Sequence, residues 1–90
     1  MSQGPSKIRV LIADDHPVVR EGLAAMLSRE PDIDVVGEAQ DGQEAVDRAG
    51  TLKPNVILMD LMMPKVGGVD AIRMIRERHP AVQTIVLTTY

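Results

Sequence analysis

Ninety residues with 44% hydrophobic side chains, a net charge of −3 and no cysteine describe one small domain able to pack a core. Disulfides, thiolate metal sites and cysteine nucleophiles are excluded, and the excess of acid over base leaves no electrostatic footprint for direct binding of duplex nucleic acid. Tyr90 is the one aromatic residue, so stacking on unpaired bases is excluded before the last position.

The start of the chain is polar and lacks the apolar stretch of a signal peptide. Residues 1–6, with Gly4, Pro5 and two serines, are predicted to form a flexible arm. No apolar run approaches the roughly 20 residues of a membrane span, so a soluble, cytoplasmic domain without a membrane partner is expected. Four short apolar runs follow, Ile8–Ala13, Ile33–Ala39, Val56–Asp60 and Thr84–Thr88, spaced to fit one strand, one helix and two loops per unit. The first, third and fourth are continuously apolar, as strands covered on both faces are. The second alternates, with Asp34 and Glu38 among Ile33, Val35 and Val36, and suits an edge strand.

Helix signals fill the gaps. Pro17 suits a first helical turn, with Val19, Leu23, Met26 and Leu27 following at inward spacing until Pro31. Asp41 and Glu44 form an acidic relative of a capping box ahead of Ala45, Val46 and Ala49, with Gly50 and Pro54 framing the end. Val69, Ile72 and Ile75 mark a third helix closed by Pro80. The order β-α-β-α-β-α-β predicts an α/β fold: a doubly wound parallel sheet in flavodoxin-like order, with helices on both faces.

In such a sheet, ligands bind beyond the carboxyl ends of the strands where strand order reverses. Asp14 and Asp15 follow the first strand and Asp60 ends the third, which brings three carboxylates to one crevice. Like charges that close repel unless a cation joins them. Oxygen ligands without a soft donor suit a hard ion, Mg²⁺ foremost. Asp14 or Asp15 capping the helix at Pro17 stays open as a purely structural reading. Asp60 has no helix to cap, and a carboxylate beside a buried run needs a partner. Thr88 would turn its hydroxyl toward the crevice, or serve only as a β-branched strand residue. In Met62-Met63-Pro64 the useful group is backbone, a carbonyl two residues past Asp60, and Gly67-Gly68 permits a tight approach to the third helix.

Asp14-Asp15, the segment Asp60-Leu61-Met62-Met63-Pro64 with Gly68, and Thr88 together resemble the receiver domain of bacterial two-component response regulators, over residues 7–90. The resemblance implies that Asp60 accepts a phosphoryl group from the phosphohistidine of a sensor histidine kinase. Asp15 would ligate Mg²⁺ directly, Asp14 largely through water, and Met62 through its carbonyl. Thr88 would bond a phosphoryl oxygen and move inward on activation. The run Asp14-Asp15-His16-Pro17-Val18-Val19-Arg20-Glu21-Gly22-Leu23 is most similar to the NarL/FixJ-like subfamily, whose receivers precede a helix-turn-helix DNA-binding domain. Members of the family have a fifth strand opening on a lysine that pairs with the phosphoryl group, then a fifth helix. None of Lys7, Lys53 and Lys65 stands at that place, and only Lys65 is near the crevice. The resemblance therefore implies a piece of a longer regulator, with its DNA-binding domain absent. The fourth strand would be an exposed apolar edge, Thr84-Ile85-Val86-Leu87, giving self-association through it or through an exchanged element.

A Mg²⁺-dependent phosphatase would need a second aspartate two residues after the nucleophile, where Met62 stands. A flavodoxin-like nucleotide or flavin carrier would need a Gly- or Ser/Thr-rich phosphate loop in place of Asp-Asp-His-Pro. A phosphorylation-independent interaction module on the same fold remains compatible with the sequence. His16 stands on the rim of the crevice, where it could tune the acids or be simply a solvated loop histidine, and His79 with Arg76 and Arg78 is expected to complement a helix dipole. Met26, Met59 and Met74 are core or core-edge candidates, and Arg73, Arg76, Glu77 and Arg78 a solvated face.

Overall fold

The chain was described from a computed structural model covering residues 7–87. The arm expected over 1–6, and the Thr88 hydroxyl, fall outside these residues. Seven elements follow in strict alternation: β1 (Ile8–Ala13), α1 (Pro17–Ser28), β2 (Ile33–Ala39), α2 (Gly42–Leu52), β3 (Val56–Asp60), α3 (Gly68–Arg78) and β4 (Gln83–Leu87). All strand pairs are parallel in the order β2-β1-β3-β4, so the chain reverses direction across the sheet between β1 and β3. The register of β2 on β1 slips after Val10, which pairs with Val35 while Leu11 pairs with Gly37. Val36 is the extra residue of a bulge in the edge strand.

Alternate strand residues face opposite sides. Leu11, Ala13, Ile57 and Met59 face α2 and α3 and form the main core with Ala45, Val46, Ala49, Ala71 and Ile75. On the other face α1 packs against β1 and β2, over Val10 and Ile12. Asp41 caps α2, its side chain accepting the Glu44 N–H at 2.8 Å. Glu44 reaches back one residue further than a capping box would, accepting from the Gln40 N–H at 3.2 Å. No described helix is long and apolar enough to cross a membrane.

Three expectations need correction. No residue of α1 is fully buried, and Met26 is 64% exposed. Among the described residues α1 lies alone on its face of the sheet, and a single helix buries only its line of contact. In α3 the inward line is Gly68, Ala71 and Ile75, while Val69 is 67% exposed. Gly68 presses against the Asp60 and Leu61 backbone, and that close approach sets the rotation of the helix. Gly50 and Pro54 do frame the end of α2, which runs to Leu52 and stops at Lys53 in the left-handed region (φ 49°). Arg9 Nη1 donates to the Lys53 carbonyl at 3.0 Å, satisfying one of the helix's last acceptors. Gly50 also leaves room for the His79 ring, which a Cβ there would meet at 3.3 Å. Finally, β4 is not covered on both faces, since Ile85 and Val86 are 51% and 44% exposed.

Candidate functional site

Ala13 pairs with Met59, so β1 and β3 deliver Asp14 and Asp60 at neighbouring carboxyl ends of the sheet. Asp14 extends the ladder by one residue, its N–H donating to the Ala39 carbonyl at 3.0 Å. Asp14 and Asp60 are fully buried, and the Asp15 side chain is 30% exposed. One ligand atom from each of Asp14, Asp15, His16 and Asp60 lies within 4.8 Å of all the others. The three aspartates singled out from sequence are therefore together, with His16 as a fourth member.

His16, not an aspartate, occupies the cap position of α1, and it makes no side-chain capping bond. Neither Asp14 nor Asp15 caps that helix. Asp14 Oδ1 accepts from the His16 N–H at 2.8 Å and from its ring Nδ1 at 2.9 Å. The ring reaches from solvent into the cluster, its side chain 58% exposed. The Asp14 hydrogen bond first, then the Asp15 charge, raise the His16 imidazole above its ordinary 6.5. His16 is thus a solvated loop residue, as expected, and also a hydrogen-bonded partner of the acidic cluster on whose rim it stands. Asp15 Oδ1 stands 3.0 Å from Nδ1 without being its hydrogen-bond partner.

The loop after Asp60 folds back on the site. Asp60 Oδ1 accepts the Met62 N–H at 3.1 Å, and the Gly68 N–H donates to the Leu61 carbonyl at 3.2 Å. Gly68 is required by contact: a Cβ there would lie 2.5 Å from the Asp60 carbonyl oxygen. Gly42 is pressed equally hard against the Val66 backbone. Lys65, with φ at 62°, places Nζ 3.5 Å from Asp41 Oδ2. The one lysine expected near the crevice is thereby engaged with the cap of α2. The Glu44 N–H first, and the Lys65 charge after it, hold the Asp41 carboxyl below its ordinary 3.8.

Among the described residues, three buried carboxylate oxygens find no hydrogen-bond donor: Asp14 Oδ2, Asp15 Oδ1 and Asp60 Oδ2. Buried charge without a partner is costly. An all-oxygen set converging from two strand ends, with unused lone pairs, fits a hard divalent cation such as Mg²⁺. Sequence reasoning missed Arg20, whose side chain is 16% exposed and whose Nη1 donates to the Asp14 carbonyl at 2.7 Å. The signal available was a cation set within the half-buried line of α1, one turn after the acidic loop.

A doubly wound sheet with buried carboxylates converging at its switch point defines a class of small α/β domain with an acidic crevice at the ends of its central strands. Residues 10–90 match the family described as response regulator receiver domain. The chain is 51% identical over 83 residues to the transcriptional regulatory protein LiaR of Bacillus subtilis, covering 92% of this chain and 39% of LiaR. The receiver domain of a response regulator NarL from Mycobacterium tuberculosis superposes with a TM-score of 0.90 at 34% identity, over 96% of this chain and 69% of that one. RcsB from Salmonella enterica, bound to promoter rprA in the presence of the phosphomimetic BeF3-, gives a TM-score of 0.85 at 34% identity, over 93% and 71%. The chain belongs to the response regulator receiver domain family, and its relatives include NarL- and LuxR-family regulators. It spans about two fifths of the length of the curated regulators it matches, as with the 40% covered of VraR from Staphylococcus saprophyticus.

Proposed function

We propose that this chain is a phosphoacceptor: Asp60 takes a phosphoryl group from the phosphohistidine of a sensor histidine kinase. A carboxylate oxygen of Asp60 attacks phosphorus, the N–P bond breaks, and an acyl phosphate forms as the imidazole leaves. The observation that carries this reading is the buried carboxylate pair Asp14 and Asp60, each with an oxygen lacking a donor among the described residues, on adjacent strand ends. Asp14, Asp15 and Asp60, with the Met62 carbonyl, would hold Mg²⁺, which supplies charge neutralisation for the phosphoryl oxygens. The Met62 N–H fixes the rotation of the Asp60 carboxylate, so attack starts from one orientation. Thr88 would bond a phosphoryl oxygen and carry the change outward. The output is transcriptional, through a DNA-binding domain outside these ninety residues, in the cytoplasm, in keeping with the promoter-bound RcsB relative. A second copy of the chain is a further partner, met through the β4 edge or an exchanged element.

The test is intact mass of the chain and of Asp60→Ala after incubation with acetyl phosphate and Mg²⁺. One added phosphoryl group in the parent alone supports the reading. No gain in the parent, or an equal gain in both, refutes it.

A further inference from the structure

The β1–α1 loop must carry two carboxylates toward a third, and repulsion would drive it outward. Its backbone is tied at two points. The Asp14 N–H donates to Ala39 of β2, and the Asp14 carbonyl accepts from Arg20 Nη1 at 2.7 Å. Arg20 is in turn fixed by β2, its Nε donating to Glu38 Oε1 at 3.0 Å, with the side chain as a whole largely withdrawn from solvent. Arg48 of α2 donates to the Glu38 carbonyl from the other side. A planar fork suits this arrangement, since it grips two acceptors at fixed angles where an ammonium holds one point. The guanidinium touches none of the carboxylate oxygens assigned to the metal.

We propose that Arg20 is a positioning residue for the cation site: clamped by Glu38, it holds the Asp14 carbonyl and thereby aims Asp14 and Asp15 at the ion. This deepens the reading of Asp14 and Asp15 as Mg²⁺ ligands and rests on it. The sign of the effect separates positioning from simple charge. A cation beside an acidic cluster opposes Mg²⁺, so charge alone predicts that removing Arg20 tightens the ion. Positioning predicts that removing it loosens the ion, in the range of about 10–100-fold found for residues that orient metal ligands.

The experiment follows thermal unfolding of the full chain, Arg20→Gln and Glu38→Gln across a Mg²⁺ titration, with metal-free melting recorded separately. The half-effect Mg²⁺ concentration is expected to rise about 10-fold or more in Arg20→Gln. A smaller rise is expected in Glu38→Gln, which frees one side of the fork. An unchanged or lowered half-effect concentration overturns the proposal, even where metal-free melting falls, since lost packing alone lowers only the latter. If Arg20→Gln does not fold, Arg20→Lys decides: it keeps the charge and loses the fork, so a raised half-effect concentration supports positioning and an unchanged one overturns it. A parent chain indifferent to Mg²⁺ would refute the metal site itself, a failure distinct from an Mg²⁺-responsive parent whose variants bind as well as it does.

Discussion

Asp60 holds opposing demands within one side chain. It is fully buried, its Oδ1 takes the Met62 N–H, and its Oδ2 finds no hydrogen-bond donor among the described residues, while Asp14, Asp15 and His16 share its crevice. Asp60→Asn keeps the acceptor for Met62 and deletes one charge from the cluster. The metal-free variant is expected to melt above the parent, by on the order of 1–2 kcal/mol, because unit charges ~4 Å apart at a protein surface interact by a few kcal/mol. Mg²⁺ at 100 times its dissociation constant should stabilise the parent by about 2.7 kcal/mol and the variant far less. Calorimetry with and without Mg²⁺ reads both, and a variant that melts lower or responds equally would contradict the repulsion argument. At this scale the acids were legible because each stands where an apolar run stops. His16 was legible only as a residue on the rim and Arg20 not at all, because their roles arise from hydrogen bonds to Asp14 that spacing does not encode. Asp41 offers a pH test. Its folded carboxyl lies below the unfolded 3.8, so its stabilisation is present above that value and is lost as pH falls through the folded one. Asp41→Ala should cost about 1 kcal/mol near neutrality as a lost helix cap, and denaturant melts of the two chains should converge below pH 3.8.

Helix placement depends on where backbone can come close. Gly67 and Gly68 are adjacent in sequence, yet a Cβ on Gly67 would meet nothing nearer than 4.0 Å while one on Gly68 would enter the Asp60 backbone. Gly67→Ala should therefore leave melting nearly unchanged. Gly68→Ala should destabilise by about 1–3 kcal/mol or more as an overpacked contact and displace the loop bearing Met62. Equal melting of the two variants would dispose of the claim that this contact sets α3. The same contact explains why apolar periodicity misread the helix. Val69, Ile72 and Ile75 are spaced as an inward face, but the line through Gly68 and Ala71 can approach the sheet more closely, and Val69 turns outward. For α2, capping and periodicity agreed and the inward residues emerged as expected. Its end falls between Gly50 and Pro54 as expected, but that Gly50 also makes room for the His79 ring is a tertiary contact that spacing does not encode.

Across the whole molecule the two faces of the sheet are unequally covered. One is closed by α2 and α3 over Leu11, Ala13, Ile57 and Met59, and its residues are almost wholly buried. The other carries α1 alone among the described residues, over β1 and β2, so coverage thins toward β4, where Ile85 pairs with Leu58 and is 51% exposed. β4 has β3 on one side and no described strand on the other. A strand edge with exposed apolar side chains is a template for pairing with another chain. Concentration-dependent association is therefore expected in light scattering of the parent chain. Ile85→Lys should shift it toward monomer, because a charge on an edge strand opposes pairing while disturbing a position already half open to solvent. Metal-free melting of a dilute sample should barely change, which separates blocked association from unfolding. A parent monomeric over a wide concentration range would defeat the expectation outright. Association untouched by Ile85→Lys would move the contact from this edge to the exposed side of α1, where Val18 and Met26 are 81% and 64% exposed.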